Sequence, residues 1–81
     1  MALTKKRAEQ LAQEFETTIV DFYGWHDSLE TTADEDDVVI KSKHKGVFYE
    51  MDLVALFLAG RPSLSWYAKV DEEGFICVRI Y

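Results

Sequence analysis

Cysteine, proline and glycine are all scarce in this sequence: one cysteine, one proline and four glycines in 81 residues. A single cysteine, Cys77, cannot form an internal disulfide, which excludes the cross-linked scaffold of many small secreted proteins and favours a reducing cytoplasm. Low proline and glycine, together with 48% hydrophobic residues, exclude the composition of a disordered chain. The sequence therefore predicts one small globular domain over residues 1–81.

Long hydrophobic runs are also lacking. The longest covers residues 53–59 and is too short to span a bilayer. The N-terminal residues are not followed by the apolar segment of a signal peptide. We therefore expect no membrane association and a cytoplasmic location.

Lysine and arginine are absent from residues 8–40, although this segment contains ten carboxylates. The net charge of the chain is -6. An acidic potential of this kind disfavours general binding to nucleic acid or anionic membrane and favours basic protein surfaces. Cations return at the two borders of the segment, as Lys5, Lys6 and Arg7 before it and Lys41, Lys43 and Lys45 after it.

Sequence patterns for metal, cofactor or catalytic chemistry are missing as well. The acidic run at residues 34–37 is not followed by the central glycine and terminal glutamate of an EF-hand. His26, His44 and Cys77 have no spacing that places two metal ligands on one element. The glycines are isolated, so they do not form a phosphate-binding loop. We therefore expect no metal, no cofactor and no enzymatic activity.

An amphipathic pattern covers residues 4–23, where apolar residues recur every three or four positions. This spacing predicts a helix with Thr4 as its N-cap and Gly24 just past its end. The predicted buried stripe consists of Ala8, Leu11, Ala12, Phe15, Ile19 and Phe22.

The middle of the chain contains three segments with different patterns. Residues 25–37 have no period and predict either a loop or a short helix that starts at residue 27 or 28 and ends at residue 33. The stretch "VVIKSKHKGVFYEM" predicts a hairpin of two strands, with Lys41 and Lys43 on one face. The stretch "DLVALFLAGRP" predicts a helix that Asp52 caps and that stops at Gly60; being apolar nearly all round, it should be enclosed.

The last stretch, "LSWYAKVDEEGFICVRIY", predicts a second hairpin with Val70 opposite Phe75 and Trp66 opposite Arg79. Both faces of this hairpin carry large apolar side chains. The whole chain then reads α-β-β-α-β-β, an α+β fold of two helices on an antiparallel four-stranded sheet. One sheet face is left apolar, and we expect it to form a homodimer or second interface that includes Trp66, Tyr67, Arg79 and Tyr81.

Together these features predict a small, acidic, non-enzymatic interaction module, an adaptor or inhibitor that docks a basic surface of a partner protein. The predicted contact residues are Trp25, Asp27, Glu30, Asp34, Glu35, Asp36 and Asp37. A first alternative is an acidic nucleic-acid mimic, since small acidic inhibitors from phages and mobile elements are broadly similar in size and charge. A second alternative is a nucleic-acid-binding regulatory domain in which Lys41, Lys43 and Lys45 contact phosphates.

Overall fold

The computed structural model describes residues 3–45 and 48–81. Helix α1 spans Lys5–Phe15 and continues as a π-helix over Glu16–Asp21, and helix α2 spans Phe48–Ala59. The strands are β1 (Leu29–Asp34), β2 (Asp37–Ser42), β3 (Trp66–Val70) and β4 (Ile76–Ile80), which form one antiparallel sheet in the order β1-β2-β4-β3. The predicted α+β class and the element order α-β-β-α-β-β are confirmed.

The helical segment made of α1 and the π-helix begins and ends where the sequence predicts. The Thr4 hydroxyl accepts a hydrogen bond of 3.1 Å from the backbone N–H of Arg7, which satisfies one of the free donors of the first turn. Gly24, with φ of 69°, follows the last helical residues in the left-handed conformation that glycine adopts without strain. Ala8, Leu11 and Phe15 are fully buried, as the apolar stripe predicts.

The π-helix changes which residues face the core in the second half of this helical segment. Its hydrogen bonds join residues five apart, so the apolar face moves forward by one position relative to an α-helix. Val20 is therefore buried, whereas Phe22 is 76% exposed. The prediction that Phe22 belongs to the buried stripe is wrong for this reason.

The first hairpin forms earlier in the chain than predicted. Residues 29–34 are strand β1, so both the loop and the short helix predicted for residues 25–37 are wrong. Strand β1 pairs with β2 so that Asp34 lies opposite Asp37, which leaves Glu35 and Asp36 as the turn. The second run of the predicted hairpin is wrong too: residues 46 and 47 lie outside the described residues, and Phe48 already begins α2. Asp52 consequently lies inside α2 and is not its N-cap.

Helix α2 is only half enclosed, contrary to the prediction. Val54, Phe57 and Leu58 are buried, and the Phe57 ring meets Phe15 of α1 edge to face at a centroid distance of 5.1 Å. Leu56, in contrast, is 66% exposed. The helix ends at Ala59, immediately before Gly60, as its sequence predicts.

The register of the last hairpin differs from the predicted one, and the residues of β4 are therefore on the opposite faces from those predicted. Trp66 lies opposite Ile80 and Tyr67 opposite Arg79, a shift of one residue that reverses the faces of β4. The predicted pairing of Trp66 with Arg79 is therefore wrong. The face toward the helices, here the helix-side face, carries the buried strand residues Leu29, Val38, Ile40, Ser42, Val78 and Ile80.

The opposite face of the sheet, here the open face, carries mixed polar and apolar side chains. From edge to edge, one row of it runs Thr32, Val39, Arg79 and Tyr67. The next row runs Glu30, Lys41, Cys77 and Lys69. Within residues 3–45 and 48–81, neither helix has the length and apolar content needed to cross a bilayer.

Candidate interaction surfaces

The acidic run at residues 34–37 is the tip of the β1–β2 hairpin. Glu35 and Asp36 are exposed there, and Glu35 has a φ of 56°, a left-handed conformation that is unfavourable for a residue with a side chain of this length. Asp34 and Asp37 form the closing pair of the strands beneath them. The hairpin thus presents four carboxylates at one end of the sheet.

Arg79 of β4 binds the two carboxylates at the base of this tip. Its Nη1 lies 2.6 Å from Oδ2 of Asp37, and its Nη2 lies 3.3 Å from Oδ2 of Asp34. Hydrogen bonding to Asp37, reinforced by Asp34, raises the pKa of the Arg79 guanidinium above its ordinary value. One cation therefore holds two acids together, which fixes the direction in which the tip points.

The remaining predicted contact residues line the same edge of the sheet, since β2 is the one neighbour of β1 among the described strands. Glu30 is exposed on the open face of β1, and Asp27 is exposed in the turn that precedes the strand. A six-residue strand is about 20 Å long. We call the following carboxylates, which lie on β1, in the turns at its ends and at the start of β2, the acidic edge: Asp27, Glu30, Asp34, Glu35, Asp36 and Asp37.

Trp25 lies at the other end of this edge from the hairpin tip. Its ring is half-buried and stacks on the Tyr23 ring at a centroid distance of 4.8 Å, and Tyr23 in turn meets Phe22 edge to face at 4.9 Å. Phe22 and Tyr23 are the exposed members of this aromatic group. Sequence reasoning missed both as surface residues, because an uninterrupted α-helix would have buried Phe22.

Ion pairs neutralise only part of the acidic charge among the described residues. Glu14 binds Arg61 and lies 4.0 Å from Arg7. On the acidic edge, Arg79 binds Asp34 and Asp37. The described residues contain no ion pair for the other members of the acidic edge, which are Asp27, Glu30, Glu35 and Asp36. The edge is thus negative overall.

The three lysines that follow the acidic run differ in their contacts within the chain. Lys41 Nζ lies 3.6 Å from Oδ2 of Asp71 and 5.6 Å from the centroid of the Phe75 ring. Lys43 donates a 2.6 Å hydrogen bond to the carbonyl of His26. Lys45 is exposed, and its side chain lies beside Gly74 in the β3–β4 turn. Lys41 and Lys43 therefore already have partners within the chain.

The residues predicted for a second interface are divided between the two faces of the sheet. Tyr67 and Arg79 are cross-strand neighbours on the open face, and the Tyr67 ring lies 5.8 Å from that of Tyr81. Trp66 is on the helix-side face instead, the face that also carries the exposed Val70 of the same strand. All five residues of β3 are exposed. The sequence did not predict the exposure of Val70, because the predicted register did not distinguish an edge strand from a central one.

Glu16, Asp21 and His26 bring potential metal-ligand atoms within 4.8 Å of one another. The π-helix explains why sequence reasoning missed this group: residues five apart, such as Glu16 and Asp21, share a side of a π-helix but not of an α-helix. All three side chains are exposed. The 2.7 Å contact between Nε2 of His26 and Oδ1 of Asp21 makes the group a surface His–Asp pair with a neighbouring carboxylate.

A groove with a volume of about 580 Å³ lies between the start of α1 and the segment after α2. Arg7 and Arg61 line it, and both lie against Glu14. Arg61 also stacks on the Phe57 ring at 3.8 Å. The groove therefore presents cations that are already bound within the chain.

Comparison with family models, with curated proteins and with solved structures finds no match for this chain.

Proposed function

We propose that the protein is a small acidic interaction module, an adaptor or inhibitor, that docks a basic surface of a partner protein through its acidic edge. The observation that carries this proposal is the arrangement of six carboxylates along one free edge of the sheet, with Arg79 as the cation that binds two of them. Charges of one sign on one side of a molecule steer a partner of opposite charge and select against partners of like charge.

The shape of the edge supports the same proposal. The turns of the hairpin and the segment before β1 are exposed, whereas β1 itself is tied to β2 over six residue pairs. Glu30 and Asp34 are therefore held on a paired strand, which lowers the entropy cost of docking a partner. The unpaired Cys77 is compatible with action in a reducing cytoplasm.

The nucleic-acid mimic is a second candidate, favoured by the extended backbone that carries these acids. Glu30 and Asp34 lie on the same side of a straight strand, about 14 Å apart from the rise per residue. A mimic acts by occupying a nucleic-acid-binding groove. The adaptor and the mimic therefore differ in one measurable respect: only the mimic displaces nucleic acid from the captured partner.

The test reverses charge at the hairpin tip. The double variant is Glu35→Lys with Asp36→Lys. Neither wild-type residue has an ion pair with the described residues, so the fold should persist while capture of basic proteins from a nuclease-treated extract is lost. The matched control is Glu72→Lys with Glu73→Lys, which changes the net charge equally in the exposed turn of the other hairpin. Capture by the immobilised chain is measured at low and high salt.

Three results are informative. Loss of capture in the tip variant alone supports docking through the acidic edge. Equal loss in both variants shows that net charge, and not the acidic edge, attracts the partner. Retention in both overturns the proposal. Competition between the chain and labelled nucleic acid for the purified captured protein then separates the mimic from the adaptor.

A further inference from the structure

Within the part of the chain that the structure describes, β3 pairs only with β4 and forms the edge opposite the acidic edge. Every residue of β3 is exposed, including Trp66 at 44% and Val70 at 64%. Natural proteins usually protect such an edge with a short strand, with lysine or proline, or with a covering segment. Strand β3 is five residues long and has one such residue, Lys69 on the open face, while its other four residues are uncharged and contain no proline. The edge can therefore still accept a strand whose side chains suit Lys69.

Two hydrogen bonds determine which backbone groups of β3 point outward. Ser65 accepts from the N–H of Tyr81, and Asp71 donates to the carbonyl of Phe75, both at 2.9 Å. Hydrogen-bonded and non-hydrogen-bonded pairs alternate in an antiparallel ladder, so Tyr67 and Lys69 direct their backbone groups toward β4. The N–H and C=O groups of Trp66, Ala68 and Val70 therefore point away from the sheet, toward a missing neighbour.

We propose that two copies of the chain pair through β3, antiparallel and around a two-fold axis at Ala68. In this register Ala68 lies opposite the partner's Ala68, and Trp66 lies opposite the partner's Val70. All three outward-pointing residues of each copy then fall into hydrogen-bonded pairs, with two hydrogen bonds for each pair. The register matches donors and acceptors because the outward residues are spaced evenly around Ala68.

The side chains match in the same register. On the helix-side face, Trp66 meets the partner's Val70, so each covers an apolar side chain that is exposed in the single copy. On the open face, Tyr67 meets the partner's Lys69, an arrangement that suits a cation over an aromatic ring. The acidic turn at residues 71–73 lies opposite residues 63–65, which are uncharged. No like charges of these segments face each other.

The other edge of the sheet is unsuitable for the same kind of pairing. The 2.8 Å hydrogen bond from the N–H of Lys43 to Ser28 makes Leu29, Thr31 and Ala33 the outward residues of β1. A two-fold axis at Thr31 places Asp27 opposite the partner's Glu35 at both ends of the pair, and these like charges repel. Pairing through β3 also gives a closed dimer, since both copies use the same edge and neither leaves that edge free for a third copy.

The experiment measures the mass of the full chain by light scattering after size exclusion, at concentrations from roughly 10 μM to roughly 1 mM, because a short strand pair lies at the small end of interface sizes. We expect the mass to rise from 9.4 kDa toward twice that value. Ala68→Pro removes an outward N–H and leaves the ladder to β4 intact, so it should keep the chain monomeric. The control Ala33→Pro makes the same change on the β1 edge and should leave the dimer unchanged.

A second variant keeps the result interpretable if Ala68→Pro does not fold. Val70→Glu changes an exposed side chain without altering the backbone, and it should weaken dimerisation by at least tenfold, because it places a carboxylate opposite the partner's Trp66, whose ring face repels an anion. A wild-type chain that stays monomeric over the whole range, or a dimer that both variants leave unchanged, overturns the proposal. Larger open-ended assemblies also overturn it, since they require a different pairing. None of these outcomes depends on what the acidic edge binds.

Discussion

At the scale of single residues, Asp71 closes the β3–β4 turn. Its Oδ1 accepts hydrogen bonds from the backbone N–H groups of Phe75, at 2.9 Å, and Glu73, at 3.0 Å. These bonds, with a further contribution from Lys41, lower the pKa of the Asp71 carboxyl below its ordinary value, the bond from Phe75 having the largest effect. The ionised carboxylate therefore favours the folded state, in which these donors are in place.

The sign of the pKa shift sets the pH dependence of this contribution. A carboxyl whose pKa is lowered on folding stabilises the protein above its unfolded pKa, near 3.8, and this stabilisation disappears as the pH falls through the lower folded value. Asp71→Asn should therefore be less stable than the wild type at neutral pH, and the difference should shrink in acid below about pH 4.

Thermal unfolding at a series of pH values measures this difference. The control is Glu72→Gln, which removes the same charge from the same turn but none of these hydrogen bonds. A difference between wild type and Asp71→Asn that stays constant down to pH 2 would contradict the assignment. The sequence predicts a turn at Asp71 through Gly74, but the strand register was needed to identify Asp71 as the residue that closes it.

At the scale of secondary-structure elements, the π-helix decides which face of the first helical segment meets the core. The sequence predicts the first three turns correctly, because Ala8, Leu11 and Phe15 follow an α-helical period. Beyond Phe15 the same period predicts the wrong residues, since the π-helix buries Val20 and exposes Phe22. The local apolar pattern does not reveal this change, because Ile19, Val20 and Phe22 are all apolar.

This change of face predicts an unusual ranking of two substitutions. Val20→Ala should lower the free energy of unfolding by about 2 kcal/mol, because it removes buried methyl groups from a residue that is 2% exposed. Phe22→Ala removes a much larger side chain but should change stability by less than about 0.5 kcal/mol, because that ring is in solvent. Denaturant unfolding of both variants tests the ranking, and a larger loss for Phe22→Ala would contradict the π-helix.

At the scale of the whole molecule, the two edges of the sheet have opposite character. The acidic edge carries six carboxylates, whereas β3 carries exposed Trp66, Tyr67 and Val70 with Lys69 as its charged residue. Because the edges are on opposite sides of the sheet, pairing of two copies through β3 leaves both acidic edges free. Seven strand spacings of about 4.8 Å separate them by roughly 34 Å, and a partner with two basic surfaces would bind such a dimer with added avidity.

The opposite character of the edges predicts opposite responses to salt. Between roughly 0.01 M and roughly 1 M salt the Debye length falls from about 30 Å to about 3 Å. Docking of a basic partner should weaken over this range. Dimerisation through β3 should strengthen, because each copy carries a net charge of -6 and salt screens their repulsion. Light scattering measures dimerisation and partner capture measures docking, at matched salt concentrations. If dimerisation and docking both weaken or both strengthen with salt, the assignment of the two edges is contradicted.

The sequence by itself determined the α+β class, the order of the elements and the cation-free segment, since these follow from local apolar periods, caps and composition. The tertiary structure alone decided the register of the strands, the edge positions of β1 and β3, the faces on which Trp66 and Arg79 lie, and the binding of Asp34 and Asp37 by Arg79. The physical reason is that the first set of properties depends on interactions between residues close together in the chain, and the second set on interactions between residues far apart in it. A one-residue change in strand pairing leaves every local propensity the same but moves each side chain to the other face, and the free energy that selects one pairing comes from core contacts between residues far apart in the chain.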